Sequence, residues 1–215
     1  YPMNAPSSKF NWRALVRSRG GFSLFEVIIT MAIATSIIFI IAAFRRNLDQ
    51  LQNFSSQKLQ SRQDIDQTIQ IMTTEIRSAG PSSAGAYPID SATSTAFIFY
   101  SDIDKDGVFE RVRYSLGTST IVKGVVRASG NPLTYVTSTE IVTTLVNSVI
   151  INSSTTLFSY YDSNYSGSQA SMTFPITISQ VRLVQFSFSA DVNASSSPLP
   201  EFFSQLVDIR NLRSN

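Results

Sequence analysis

The stretch GFSLFEVIITMAIATSIIFIIAAF, residues 21–44, decides the fold. Its last 18 residues, 27–44, are apolar except for Thr30, Thr35 and Ser36, whose hydroxyl groups can bond back to helix carbonyls. At a rise of about 1.5 Å per residue, a helix of this length just crosses the roughly 30 Å hydrocarbon core of a bilayer. The sequence therefore predicts one membrane-spanning helix near the beginning of the chain.

Basic residues flank this stretch on both sides. Arg45 and Arg46 follow it, and the leader before it has no acidic residue and four basic ones, Lys9, Arg13, Arg17 and Arg19. This asymmetry predicts a cytoplasmic N-terminus by the positive-inside rule. Residues 1–21 have the character of a targeting segment and are kept out of the fold prediction. The chain begins YPM, so either Met3 is the true start or the sequence is a fragment.

Composition excludes several classes of function. Without the leader, 13 basic side chains remain against 15 acidic ones, so the pI near 9.0 reflects the leader and nucleic-acid binding is not expected. The chain contains no cysteine and no histidine. Disulfides, thiolate metal sites and Ser-His or Cys-His nucleophiles are therefore excluded, and we expect a protein that is not an enzyme.

A helical pattern continues beyond the apolar stretch. Its apolar positions recur at helical spacing through Leu48, Leu51, Phe54, Ile65, Ile69, Met72 and Ile76, until Gly80-Pro81 interrupts it. We therefore predict one helix over 22–79, whose residues 22–44 are apolar all round and whose residues 45–79 are amphipathic. The amphipathic half needs a partner surface.

The remaining residues, 80–215, predict a β-rich domain. Short β-branched and aromatic runs separated by turn residues predict strands at 96–100, 109–116, 120–127, 133–136, 157–161, 172–176, 181–190 and 202–212. The segment 140–151 suits a helix face by its spacing and a strand by its β-branched content, and we favour a strand. Residues 81–95 predict a loose connection and the serine-rich 193–198 an exposed loop. The prediction is an α+β domain with the helix as its spine.

The residues GFSLFEV, 21–27, resemble the type IV prepilin signature, which type IV pilins share with the pseudopilins of type II secretion. The matching features are a basic leader ending in Gly21, an aromatic Phe22, Glu26 at the fifth place after the cut, and an apolar helix. The resemblance implies the pilin fold, a long N-terminal helix packed on an antiparallel sheet. It also implies cleavage after Gly21 by the prepilin peptidase and N-methylation of Phe22. The alternative is an ordinary anchor with a chance glutamate.

Glu26 is the unusual residue of the apolar helix. A charged carboxylate at this depth costs roughly 2.5 to 3.5 kcal/mol on insertion scales, so it needs a cation. In the family the glutamate pairs with the free N-terminal amine of a neighbouring subunit, which here is the amine of Phe22. The resemblance therefore implies that the helix is an anchor before assembly and part of a filament core afterwards.

A second motif, DIDKDGVFE at 102–110, places acidic residues at alternate positions before a turn glycine. Hard oxygen ligands of this kind suit Ca²⁺, although the twelfth position of an EF-hand would be Arg113. The motif resembles shorter calcium loops on β-hairpins, which implies as ligands Asp102, Asp104, Asp106, the Val108 carbonyl and Glu110. The alternative is a polar hairpin turn in which Asp and Gly satisfy backbone geometry. No cofactor is expected to be required, and Ca²⁺ is the candidate.

Two further stretches, DGVFERVRYSL at 106–116 and DIRNLRSN at 208–215, resemble minor pilins of the W type and J-type minor pseudopilins. The implied function is a minor structural subunit that primes or caps a type IV pilus or a type II secretion pseudopilus. The implied partners are other pilin subunits, the prepilin peptidase and an inner-membrane assembly platform. The implied location is the inner membrane, followed by a periplasmic or extracellular filament. The alternative is a filament-displayed adhesin or DNA-uptake module.

Overall fold

The computed structural model describes residues 21–152, 155–191 and 200–212, and it leaves out the helix side chains at 49–51 and 53–59. The predicted leader before Gly21 and the predicted loop at 193–198 lie outside the described residues. The chain divides into two compact units, the first ending at Asn53 and the second beginning at Phe54.

Helix α1 spans Leu24–Arg77, so the prediction of one helix over 22–79 is confirmed to within two residues at each end. Within the first unit, Leu24–Leu48 is long and apolar enough to cross a membrane. Its side chains are exposed on every side, with Phe39 at 77%. The predicted back-bonding of hydroxyl groups is present, since Thr35 Oγ1 donates to the carbonyl of Met31 at 2.9 Å.

In the second unit α1 is amphipathic, as predicted. Ile65, Met72 and Ile76 are buried in the core, and Ile69 packs against it. The carboxylates of Asp64 and Asp66, in contrast, are exposed. Residues three and four positions apart lie on the same face of an α-helix, so the buried residues form one stripe and the two aspartates lie outside it.

The strands form antiparallel sheets. A five-stranded sheet has the order β1-β2-β3-β4-β7, a three-stranded sheet has the order β10-β9-β8, and β5 pairs with β6. In chain order the strands are β1 (Ile89–Ala92), β2 (Ala96–Ser101), β3 (Glu110–Leu116), β4 (Ile121–Val126), β5 (Ala128–Ser129), β6 (Thr134–Tyr135), β7 (Ile141–Val146), β8 (Phe158–Tyr161), β9 (Leu183–Ala190) and β10 (Glu201–Asp208). An α+β architecture is therefore present.

One core joins the two larger sheets and the second half of α1. Phe97 of β2 lies 5.9 Å from the ring of Phe158 in β8, and Phe99 lies 5.9 Å from Tyr114 in β3. Strand β9 contributes alternate residues, the period that one buried face requires, from Val184 to Ala190. The buried stripe of the helix thus lies in the same apolar cluster as residues of both sheets.

One predicted strand is absent, one strand was not predicted, and the last strand ends earlier than predicted. Residues 172–176 form no strand in the described residues: the Met172 N–H donates to the Tyr160 carbonyl at 2.8 Å, but Pro175 has no N–H to continue the pairing. Residues 81–95 contain β1, which the sequence pattern did not indicate. The last strand, predicted to reach residue 212, ends at Asp208 before a short 3₁₀ turn at Arg210–Leu212. The preference for a strand within 140–151 is confirmed by β7.

Candidate functional site

The proposed processing site lies just before the first turn of α1. Gly21 and Phe22 are outside the helix, which begins at Leu24, and Phe22 is 80% exposed. A Cβ atom added to Gly21 would meet nothing within 4 Å. The peptide bond between these two residues is therefore accessible, as cleavage by a peptidase requires.

Glu26 lies in the first turn of α1 and is exposed. Its carboxylate has no hydrogen bond or ion pair within residues 21–152, 155–191 and 200–212. The free N–H groups of the first helical turn favour a negative charge at this position, but they are worth only about 0.3 to 1 kcal/mol. Among the described residues, most of the cost of placing this carboxylate in an apolar environment therefore remains uncompensated.

A polar cluster fixes the second half of α1 to the five-stranded sheet. One oxygen of Glu75 accepts a hydrogen bond from Tyr114 Oη at 2.5 Å, and the other accepts one from Lys123 Nζ at 2.5 Å. Burial raises the pKa of Tyr114 well above its ordinary value, and the Glu75 charge raises it further, so the phenol stays a donor at neutral pH. The sequence analysis did not identify this cluster. The one feature of the nearby sequence that points to this cluster is the spacing of Glu75, three residues after the buried Met72, which places both on one face of the helix.

Hydrogen bonds to backbone carbonyls hold the segment that follows α1. The Gly80 N–H donates to the Tyr100 carbonyl at 2.9 Å, and Asn211 Nδ2 donates to the Ala79 carbonyl at 2.8 Å. A Cβ atom on Gly80 would lie 2.7 Å from Phe109 Cε1, so any larger residue would displace the Phe109 ring. The helix therefore enters the β-rich domain at a defined point.

The acidic loop connects β2 and β3. One carboxylate oxygen from each of Asp102, Asp104 and Asp106 lies within 4.8 Å of the other two. Lys105 and Gly107 adopt the left-handed conformation, with φ of 62° and 89°, which turns the chain tightly enough to bring the three together. The loop thus groups three of the five predicted ligand residues.

Of the other two predicted ligands, Glu110 lies apart from this group, and the carbonyl of Val108 stays a prediction. Glu110 is 2% exposed, and its Oε2 accepts the Ile103 N–H at 3.1 Å, outside the group of three. Burial raises the pKa of Glu110, and the charges of Asp104 and Asp106 raise it further. Val108 donates its N–H to Asp106 Oδ1 at 2.7 Å.

Hydrogen bonds inside the loop also support the turn interpretation. Asp102 accepts the N–H groups of Asp106 and Gly107, each at 3.1 Å. Arg127 contacts Asp104 Oδ2 at 3.1 Å and supplies one positive charge. The three carboxylates still exceed this single cation, and their oxygens match the ligand preference of Ca²⁺.

Arg113 and Glu140 form an ion pair on the face of the five-stranded sheet opposite the Glu75 cluster. Arg113 of β3 contacts Glu140 through two parallel bonds, Nε to Oε1 at 2.8 Å and Nη2 to Oε2 at 2.7 Å. The pair lies over Gly124 of β4, where an added Cβ atom would be 2.1 Å from Glu140 Oε1. This arrangement, which the sequence analysis also missed, depends on the β3-β4 register that places Arg113 opposite Gly124.

No protein-family model matches the chain, and no curated protein matches its sequence. The resemblance of residues 21–27 to the prepilin signature therefore stays a prediction from the sequence.

Proposed function

We propose that the chain is a prepilin-like subunit of a type IV pilus or of a type II secretion pseudopilus. The observation that carries the proposal is the exposed apolar segment Leu24–Leu48, which contains Glu26 and continues without interruption into a helix half buried against a sheet. A membrane anchor alone needs neither the carboxylate nor the continuous helix. A filament subunit needs both.

The proposed assembly step replaces lipid with protein. An all-round apolar helix leaves the bilayer only if similar helices cover it, so the exposed side chains of Leu24–Leu48 become the filament core. Glu26 then pairs with the free amine of Phe22 on a neighbouring subunit. The pair removes a charge penalty of roughly 2.5 to 3.5 kcal/mol, which makes docking selective for a processed neighbour.

Processing precedes assembly in this proposal. The prepilin peptidase cuts after Gly21 and methylates Phe22, and an inner-membrane assembly platform then extracts the subunit. Before extraction the helix crosses the inner membrane with a cytoplasmic N-terminus, and the β-rich domain lies on the periplasmic side. The similarity of 106–116 and 208–215 to W-type minor pilins and J-type pseudopilins favours a minor subunit that primes or caps the filament.

Ca²⁺ binding at the acidic loop is a further part of the proposal. Asp102, Asp104 and Asp106 would hold the ion, and their grouping within 4.8 Å supports this. Bound Ca²⁺ would neutralise the mutual repulsion of the three carboxylates and stiffen the connection between β2 and β3. Catalysis is not part of the proposed function.

Replacing Glu26 by alanine tests the assembly step. The Glu26→Ala chain should insert in the membrane as the parent does, because the substitution makes the helix more apolar, but it should enter sheared filaments poorly. Asp66→Ala is the matched control, since Asp66 is an exposed carboxylate of the same helix outside the apolar segment. Incorporation of Glu26→Ala at the level of this control would contradict the proposed pairing.

A further inference from the structure

The long loop between β8 and β9 is ordered by its own side chains. Its residues 162–177 have no regular secondary structure, and irregular loops longer than about 12 to 15 residues usually carry a function. Asp162 Oδ1 accepts the Asn164 N–H at 2.9 Å, and Gln169 Oε1 accepts the Ser166 N–H at 2.7 Å. These bonds hold the polar side chains of the loop in place before any ligand arrives.

The first part of this loop has the composition of a recognition surface. Together with the end of β8 it reads YDSNYSGSQAS, residues 161–171. Binding loops favour tyrosine, serine, glycine and asparagine, because tyrosine offers a large and fairly rigid contact area and the small polar residues offer adaptable hydrogen bonds. The rings of Tyr161 and Tyr165 lie 4.2 Å apart. The loop therefore carries two adjacent aromatic rings among neutral polar side chains.

A cleft of about 250 Å³ opens in the loop beside these rings. Besides the two tyrosines, its lining includes the side chains of Asp162, Asn164, Gln169 and Met172. Ligand pockets usually measure about 300 to 1,000 Å³, so this cleft suits a single small ring and is too short for a peptide. A second cleft of about 410 Å³ shares Tyr165 with the first. The two clefts together suit neighbouring units of a chain.

The lining of the smaller cleft favours a neutral ligand that is rich in hydroxyl groups. Asp162 carries the one charge among its lining residues, all of which are described, so an anionic ligand would be repelled. An apolar ligand would leave the carboxylate and the two amides without partners, which costs free energy. The carboxylate accepts hydrogen bonds and the amides both donate and accept them, which matches hydroxyl groups because a hydroxyl does both.

The polar groups of the cleft keep hydrogen-bonding capacity for such a ligand. Asn164 Nδ2 donates one of its two N–H groups to Asp162 Oδ2 at 3.2 Å, and Gln169 Nε2 donates one of its two to Ser166 Oγ at 2.8 Å. The Tyr165 hydroxyl makes no hydrogen bond in the described part of the chain. Each of the two amides therefore retains a free donor, and the phenol is free to donate and accept.

We propose that the smaller cleft binds one neutral sugar ring of a saccharide whose next unit lies in the second cleft. A sugar ring combines hydroxyl groups at its edge with an apolar face of C–H groups. Its hydroxyls would bond to Asp162, Asn164 and Gln169, and its apolar face would lie against the Tyr165 ring. The proposal goes beyond the proposed function, since it needs neither cleavage after Gly21 nor the Glu26 contact.

Methyl NMR of the full chain tests the binding, because Met172 lines the cleft. The chain has four methionines, and Met72, which is fully buried in the core, is the internal control. The chain is labelled with ¹³C at the methionine methyl groups and kept in a detergent without a sugar headgroup, and Met172→Leu assigns the signal. Glucose, galactose and mannose are the probes. At least one should shift the Met172 signal saturably, with the millimolar dissociation constant expected of so small a ligand, while the Met72 signal stays in place.

Variants of Tyr165 separate binding in the cleft from general effects of sugar. Tyr165→Ala should abolish the saturable shift, because the ring that carries the apolar face of the sugar is lost. Tyr165→Phe keeps the ring and should still bind, about two- to tenfold more weakly for the lost hydroxyl. Tyr87→Ala is the matched control, since Tyr87 is 40% exposed and lines neither cleft, and it should bind as the parent does.

A charged probe tests the selection for a neutral ligand. The uronate of the sugar that binds best has the same ring with one added carboxylate, and it should bind about tenfold more weakly beside Asp162. A Met172 signal that stays in place with all three sugars, an equal shift of the Met72 signal, parent-like affinity in Tyr165→Ala, or tighter binding of the uronate would overturn the proposal.

Discussion

Replacing Glu75 by glutamine should loosen the attachment of α1 to the sheet. The Glu75 side chain is 13% exposed and that of Lys123 is 15% exposed, so both are largely removed from water. Glutamine keeps the shape of glutamate, but it presents one acceptor and one donor where the site has two donors. Lys123 or Tyr114 then loses its partner, and the lysine charge stays in a largely buried place.

The size of the effect follows from the two contacts. Hydrogen bonds to charged groups contribute about 1.5 to 3 kcal/mol each, and removing one partner of a fully buried pair costs about 3 to 5 kcal/mol. Because Glu75 and Lys123 both keep some contact with water, the loss should be smaller than for a fully buried pair. We expect the free energy of unfolding to fall by about 2 to 3 kcal/mol.

Urea unfolding of the full chain in detergent, followed by the β-sheet signal in circular dichroism, measures this loss. A double-mutant cycle with Lys123→Met separates the ion pair from other effects of Glu75→Gln, and a coupling of at least about 1 kcal/mol is expected. Asp66→Asn, an exposed change on the same helix, should alter stability by less than about 0.5 kcal/mol. A Glu75→Gln effect as small as that control, or no coupling, would refute the assigned role of the cluster.

Three further predictions concern the sheet and the acidic loop. Gly124→Ala should destabilise the domain by about 1 to 3 kcal/mol in urea unfolding, because the added methyl displaces Glu140 from Arg113, and an unchanged midpoint would contradict this. The hydrogen bonds from Arg113 lower the pKa of Glu140, so the pair stabilises the fold above the ordinary carboxyl pKa and this stabilisation is lost as the pH falls through the lower folded value. Glu140→Gln should therefore make the free energy of unfolding depend less on pH in the acid range. The same pH dependence in parent and variant would refute this role of the pair. Addition of Ca²⁺ at about tenfold above its dissociation constant should stabilise the chain by about 1.4 kcal/mol in thermal melts, whereas Asp104→Asn should abolish most of the gain; no shift at millimolar Ca²⁺ would exclude the site.

Features that depend on local sequence were predicted well. The helix over 22–79 follows from a period of 3.6 residues that needs no tertiary information, and the buried positions Ile65, Met72 and Ile76 follow from the same period. The grouping of the three loop carboxylates was also predicted, since they alternate along a short segment that a glycine, Gly107, allows to turn. At these residues the structure that the nearby sequence favours is also the structure that the folded domain adopts.

Features that depend on contacts distant in sequence were missed. Glu75 meets Tyr114 and Lys123 across 39 and 48 residues, and no spacing rule within the helix indicates such partners. The run at 172–176 has the residue types of a strand, but its pairing stops after one backbone bond. Glu110 was expected to close the metal site, yet burial beside the Ile103 N–H holds it elsewhere.

The mass of the N-terminal peptide of the protein isolated from its native membrane tests the central claim most directly. A prepilin-like subunit should begin at Phe22 and carry one methyl group on its amine, leaving 194 of the 215 residues. A Gly21 substitution in the same cells should leave the uncut precursor in the membrane. A parent protein whose leader is intact, or which is cut after the apolar stretch, would contradict the account.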